Sequence, residues 1–170
     1  MNVTTELEQG RRFYARQAWA DAHESLVEAD RAAPLSAGDL ELLATSAYML
    51  GRDDEYASAL ERAHHAYLRA NEPLRAVGCA FWVGVSYALR GELGPATGWL
   101  GRAQRLLERD DRDCVERGYL RLAGVFRHAA AGDLDAANAT AADAVAIGER
   151  FGEPDLDRPG PVRARPRPHQ

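Results

Sequence analysis

Small and apolar residues recur along this chain with helical spacing, in paired stretches broken by short turns. The clearest pair runs from Ala76 to Arg109. An apolar run leads into Gly91, and a second, more polar run follows it. Gly84, Tyr87, Gly91, Leu93, Ala96, Leu100 and Ala103 fall at intervals of three, four, two, three, four and three. Steps of three and four keep residues on one face of a helix, and the step of two falls where the chain must turn. The stretch therefore predicts a helical hairpin with its facing surfaces lined by these seven residues.

The same register returns three more times. Over Val3 to Pro34, Gly10, Phe13, Trp19, Ala22, Leu26 and Ala29 take the corresponding places, and Pro34 follows the second helix, a ladder that proline cannot continue. A second hairpin begins after Ser36-Ala37-Gly38-Asp39, with a capping residue at the end of that loop. Leu40, Leu43, Ala44 and Ala47 stripe its first helix. Gly51 is its turn, and three extra residues within Arg52 to Glu55 are expected before the second helix. Tyr56, Ala59, Ala63 and Ala66 then resume the pattern, and Asn71-Glu72-Pro73 ends it. In the fourth, a helix over Cys114 to Ala131 precedes the Gly132-Asp133-Leu134 turn. Val125 stands there for the small residue and His128 for the aromatic, and Ala137, Ala141 and Ala144 mark the second helix. Two alanine sets are expected at the closest helix contacts: Ala22, Ala59, Ala96 and Ala137, and Ala29, Ala66, Ala103 and Ala144.

This pattern resembles the tetratricopeptide hairpin, whose unit is roughly 34 residues. The resemblance implies an all-α, TPR-like α-α superhelix of about four helical hairpins over residues 1–156. Beyond it, residues 157–170 hold Arg158, Arg163, Arg165 and Arg167 with no apolar period. Such a composition is expected to stay disordered. The abrupt stop of the pattern partway into a fifth unit is expected to mark a frameshift or a premature end. Val145, Ile147 and Phe151, near the end of the fourth unit, lack a following repeat, so self-association or marginal stability is expected there.

Charge narrows the partners. The net charge is −5, and because the last thirteen residues carry four arginines and no acid, the body comes to −9. An acidic body repels phosphate backbones, so direct DNA binding by the helices is not expected. Two cysteines, Cys79 and Cys114, are too few for a disulfide framework. The start, MNVTTELEQGRR, holds no apolar signal-peptide core. The longest apolar run, between Arg75 and Arg90, is shorter than the ~20 residues a membrane span needs. A cytoplasmic location is the expectation.

No reactive constellation emerges. The glycines Gly91, Gly94, Gly98 and Gly101 lie in a helical register, and no Gly-Lys-Ser/Thr follows them in a chain without lysine. His64 and His65 are adjacent and point about 100° apart on a helix, while His23, His128 and His169 lack zinc-ligand spacing. The acids at Asp110, Asp111 and Asp113 and at Glu153, Asp155 and Asp157 suit helix ends and not a calcium loop. No Gly-x-Ser-x-Gly elbow is present. Neither an enzyme nor a cofactor or metal site is expected. A repeat array offers instead a concave surface on its first helices. On the tetratricopeptide template that surface would hold Leu7, Arg11 and Tyr14, then Glu41, Thr45 and Tyr48, then Phe81, Val85 and Leu89, and last Leu122 and Phe126. These side chains suit a protein or peptide partner or a small apolar ligand, unless a following repeat covers them.

Four phrases carry a narrower resemblance: RRFYARQAWADAHESLVEADRAAPL, LELLATSAYMLGRDDEY, CAFWVGVSYALRGELGPATGWLGRAQRLL and AIGERFGEPDL. Together they resemble the N-terminal tetratricopeptide-like region of actinobacterial LuxR-type transcriptional regulators, over roughly residues 5–156. Many members of that family end in a DNA-binding helix-turn-helix, and some carry an ATPase module; neither motif occurs in this chain. The resemblance implies a non-catalytic protein-interaction or signal-sensing module. The alternative is a DNA-associated regulator whose nucleic-acid contact comes from the tail or a partner chain.

Overall fold

The computed structural model describes residues 3–152. Among them are eight helices, α1 (Val3–Ala15), α2 (Trp19–Ala32), α3 (Ala37–Met49), α4 (Asp53–Arg69), α5 (Pro73–Leu89), α6 (Leu93–Glu108), α7 (Glu116–Ala130) and α8 (Leu134–Phe151), and no strand. They pair in sequence as four helical hairpins, so the chain is all-α. Two compact units hold two hairpins each, α1–α4 up to Glu72 and α5–α8 from Pro73. None of these helices is long and apolar enough to cross a membrane. The tail expected over residues 157–170 and the Glu153-Pro154-Asp155-Leu156 turn lie outside the described residues.

One turn geometry is used throughout. Gln17, Gly51, Gly91 and Gly132, and also Asn71 at the end of α4, sit at φ between 57° and 78°. In each case the next residue's N–H reaches back across the helix end. Ala18 donates to the Phe13 carbonyl, Arg52 to Ala47, Glu72 to Tyr67, Glu92 to Tyr87 and Asp133 to His128, at 2.9–3.0 Å. The turn residue itself donates to the carbonyl three before it, completing a Schellman cap. Glycine adopts this left-handed backbone freely. Gln17 does so at a cost of about 1 kcal/mol, which the hydrogen bonds and the packing of hairpin one offset. His128 thus fills the Tyr87 position structurally, through its backbone.

Counting from the turn residue exposes how each hairpin closes. Seven places before it stand Gly10, Ala44, Gly84 and Val125; nine places after it stand Leu26, Leu60, Leu100 and Ala141. A Cβ built on Gly10 would meet Leu26 Cγ at 2.8 Å, and one on Gly84 would meet Leu100 Cγ at the same distance. Small faces large in the first three hairpins. In the fourth those places hold Val125 and Ala141, both half-buried, and the close approach falls one residue away, where a Cβ built on the buried Gly124 would meet Thr140 Cγ2 at 3.3 Å. Five and twelve places after the turn come Ala22, Ala96 and Ala137, then Ala29, Ala63, Ala103 and Ala144, all buried.

The second hairpin requires two corrections. Its second helix starts at Asp53, directly after the turn, so the three extra residues extend the helix and do not precede it. Counting from the turn puts Tyr56 and Ala63 at the places of the other hairpins' alanines; Ala59 is buried as expected and Ala63 is fully buried, whereas Ala66 is only half-buried. The cap of α3 is Ser36, not Asp39. The Ser36 hydroxyl accepts from the Asp39 N–H and donates to its carboxylate, at 3.3 and 2.7 Å. At the fourth hairpin α7 begins at Glu116, two residues later than the pattern suggested, and Asp133 caps α8 by accepting from the Ala136 N–H.

Candidate functional site

The expected binding residues fall into rows when counted from the turns. Ten places before the turn are Leu7, Glu41, Phe81 and Leu122; six places before it are Arg11, Thr45, Val85 and Phe126. The third row, three places before it, holds Tyr14 and Tyr48, followed by Ala88 and Ala129. Leu89 thus stands one place beyond the row to which the spacing assigned it. Each unit contributes two helices to these rows, and the two pairs differ in chemistry.

In the first unit the rows are polar and tied down except at Leu7, which is half-buried. Arg11 Nε and Nη2 each donate to one oxygen of Asp39 at 2.8 Å, joining α1 to α3. Hydrogen bonding to Arg11 holds the Asp39 carboxyl below the usual carboxylate range, with the Ser36 hydroxyl adding to it, although burial opposes the shift. The Tyr67 hydroxyl donates to Glu41 at 2.8 Å, joining α4 to α3. Thr45 is half-buried between them in sequence. Tyr14 meets Trp19 edge to face at 5.4 Å, and Tyr48 meets Tyr56 at 5.2 Å, so both tyrosines of the third row fold back on their own hairpins. On the outer helices Arg62 clasps Asp30 through two bonds of 2.7 and 2.8 Å, and His23 meets Glu55 at 2.5 Å. Nearly every charge of the candidate face already has a structural task.

In the second unit the same rows carry no charge at all. Phe81, expected at a binding surface, is 2% exposed. Its ring lies 5.0 Å from Trp82 and 5.3 Å from Tyr119 of α7, which covers it. Phe81 is therefore interior, and the aromatic trio holds α5 against α7. Val85 and Leu122 are half-buried, whereas Phe126 remains 52% exposed and Leu89 58%. The accessible part of the candidate face narrows to Val85, Leu122 and Phe126, with Leu89 beside the turn. Such a face removes apolar surface from water when it binds, and it offers no charge for a charged ligand to pair with.

The nucleophilic and metal-ligating residues do not assemble into anything comparable. Cys79 and Cys114 are both buried, and burial raises the Cys114 thiol, which keeps it protonated. Among the described residues no three His, Cys, Asp or Glu side chains are grouped to hold a metal ion. His64 is fully buried and meets His65 edge to face at 5.2 Å. Asp110 is lowered to about 2 by hydrogen bonds from the Arg112 side chain and backbone, a local device that shapes the α6–α7 connection.

Two leucines that the spacing assigned to the facing surface of a hairpin and to a turn belong instead to the outer surface. Leu93 and Leu134, two places after the turns of hairpins three and four, are 68% and 65% exposed. Their counterparts are Trp19, which packs on Tyr14, and Asp53. The signal was present in the third row: Ala88 and Ala129 stand where the first unit has tyrosines, so the leucines have no ring to fold against. No family model matches this chain, and no curated protein matches it either.

Proposed function

We propose that this chain is a non-catalytic helical-repeat module that binds a partner segment or a small apolar signal. In this reading it serves in the cytoplasm as a regulatory module of the kind found N-terminal in LuxR-type transcriptional regulators. The observation that supports the reading is the charge-free rows of α5 and α7, in which Val85 and Leu122 are half-buried and Phe126 is exposed. An aromatic side chain left half in water beside aliphatic neighbours is a typical anchor site for an apolar segment. The polar rows of the first unit are engaged in holding their own helices together, so recognition is assigned to the second unit.

Fluorescence anisotropy with labelled amphipathic peptides tests this. Saturable binding by the native chain, weakened at least about tenfold by Phe126→Glu with the fold intact by circular dichroism, supports it. Binding unchanged by Phe126→Glu overturns the assignment to this face. Titration with duplex DNA across salt tests the other class of function, since tight binding with a steep salt slope contradicts an acidic, non-DNA-binding body.

A further inference from the structure

The sign of charge on the first helix of each hairpin reverses between the two units. α1 and α3 carry two arginines and four acids, a net of −2, whereas α5 and α7 carry four arginines and one acid, a net of +3. That one acid, Glu116, faces the Cys114 thiol and Arg112 of the preceding connection. Two of the arginines border the apolar row of α7. Arg121 directly precedes Leu122 and Arg127 directly follows Phe126, so each stands about 100° around the helix from its neighbour, on opposite sides of the row. Both are exposed, and among the described residues neither enters an ion pair. At the same places α3 has Leu40 and Ser46, and α5 has Ala80 and Ser86, so closing a hairpin calls for no cation there. We infer that the α5–α7 rows take an acidic amphipathic segment of a partner protein, its apolar side chains on Val85, Leu122 and Phe126 and its carboxylates on Arg121 and Arg127. The inference rests on the proposed reading of these rows as a binding surface and names the chemistry of what they bind.

The rows themselves hold no charge; their borders do. Phe81, Trp82 and Tyr119 hold α5 against α7, and the rows continue from that contact toward the turns. Val85 is three residues beyond Trp82, Leu122 three beyond Tyr119 and Phe126 four beyond Leu122, steps that keep to one side of each helix. A basic segment on these rows would set its cations beside Arg121 and Arg127 and be repelled. An acidic one gains charge-assisted bonds at the rim, where the guanidinium fork matches a carboxylate. The acids at the two turns do not compete, since Glu92 pairs with Arg90 and Asp133 caps α8. Rim pairs of this kind choose the partner and speed its approach, while the apolar anchors supply the affinity. A nucleic-acid duplex is anionic as well, but it is long enough to meet the whole body, net −9, and is repelled by it.

The test titrates the full chain into two labelled amphipathic peptides with identical apolar positions, one carrying glutamate and the other lysine at the polar ones. The chain's net charge of −5 by itself favours the lysine peptide, so a preference for glutamate reports the local arginines. The glutamate peptide is expected to bind at least about tenfold more tightly by anisotropy, with the margin narrowing as salt is raised. Arg121→Glu with Arg127→Glu should turn the preference over to lysine. The same charge change placed on the first unit, Arg12→Glu with Arg31→Glu, should leave the glutamate preference standing. Circular dichroism confirms that these variants fold, which the exposure of all four arginines favours. Equal affinity for the two peptides, or a preference for lysine, with binding lost in Phe126→Glu, overturns the acidic partner and leaves the apolar binding face intact. A glutamate preference that survives the changes at Arg121 and Arg127 overturns their assignment. If neither peptide binds, the binding face itself fails, and the inference falls with it.

Discussion

The two units solve the same packing problem with different chemistry. Both close their hairpins with a small residue against a large one across the helix pair, and both cap their turns with the same pair of backbone hydrogen bonds. They diverge in what joins one hairpin to the next. In the first unit, α1 is tied to α3 by Arg11 and Asp39, and α4 to α2 by Arg62 and Asp30. In the second, α5 meets α7 through Phe81, Trp82 and Tyr119, and Val77, Ala80 and Ala103 form a small core with Trp99, Leu106 and Leu120 packed on it. An ion-paired unit spends its surface charges internally and stays acidic. An apolar unit leaves apolar residues over at its edges. The contrast teaches that surface character here follows from the choice of inter-hairpin glue.

The shared device should be the most sensitive to substitution. Gly84→Val places new methyl groups where a Cβ alone would lie 2.8 Å from Leu100 Cγ, and about 3 kcal/mol of destabilisation is expected. Counted from its turn, the fourth hairpin has Val125 and Ala141 at those places. Combining Gly84→Val with Leu100→Ala should therefore cost less than the sum of the single changes by at least about 1 kcal/mol. Urea unfolding of the four chains measures this cycle. Additive costs would mean that the exchange of sizes in hairpin four is incidental.

The next prediction separates the units. Asp39 is buried, receives two bonds from Arg11, and is bonded to the cap of α3. Asp39→Ala should cost roughly 2 kcal/mol, confined to the first unit. The tryptophans report the location, because Trp19 lies in the first unit while Trp82 and Trp99 lie in the second. A chain with Trp82→Phe and Trp99→Phe follows the first unit alone by fluorescence. An equal shift seen by all three tryptophans would show that the units unfold as one.

Acid should act in the same direction. Asp39 and Asp30 both titrate below the ordinary carboxylate value, each chiefly because of hydrogen bonds from its arginine. A carboxylate whose folded pKa is depressed adds stability that is complete above its unfolded value, about 4, and is lost as pH falls through the folded one. Unfolding followed by Trp19 should therefore weaken as pH drops below about 4. The second unit has Asp110 lowered to about 2, but that carboxylate bonds to the exposed Arg112, and solvent screens such a pair. The Trp82 and Trp99 signals should shift less over the same range. Greater acid sensitivity in the second unit would contradict the division into ion-paired and apolar glue.

How much of this was readable beforehand depends on how local the determinant is. The hairpins, the turn glycines and the alanine contacts in hairpins one, three and four rest on short-range spacing, and the structure places them where that spacing does. The register of hairpin two was not readable. Its second helix carries alanines at 57, 59, 63 and 66, so a frame three residues away satisfies the pattern as well, and only the start of α4 at Asp53 decides. Gln17 gave no sign of its left-handed backbone, because that conformation is imposed by the cap hydrogen bonds around it. Phe81 looked available for binding because the ring that covers it, Tyr119, comes from the next hairpin. Helix faces were legible, and coverage by a distant element was not.

The smallest expected effect tests the tips. Trp19 and Leu93 hold the same place after their turns, yet Trp19 lies against Tyr14 while Leu93 is 68% exposed. Trp19→Ala removes an edge-to-face pair and a half-buried ring, and about 2 kcal/mol is expected from the first unit. Leu93→Ser removes a side chain that touches mostly water, so thermal unfolding at low protein concentration should change by less than about 0.5 kcal/mol. Installing the missing ring sharpens the comparison. Ala88→Tyr supplies at the third hairpin the residue that Tyr14 provides at the first, giving Leu93 a surface to cover. A gain of a few tenths of a kcal/mol is expected, and Leu93→Ser made in that background should then cost more than it does in the native chain. If the leucine remains equally indifferent to substitution beside the new tyrosine, the absence of an aromatic at Ala88 is not what leaves it exposed.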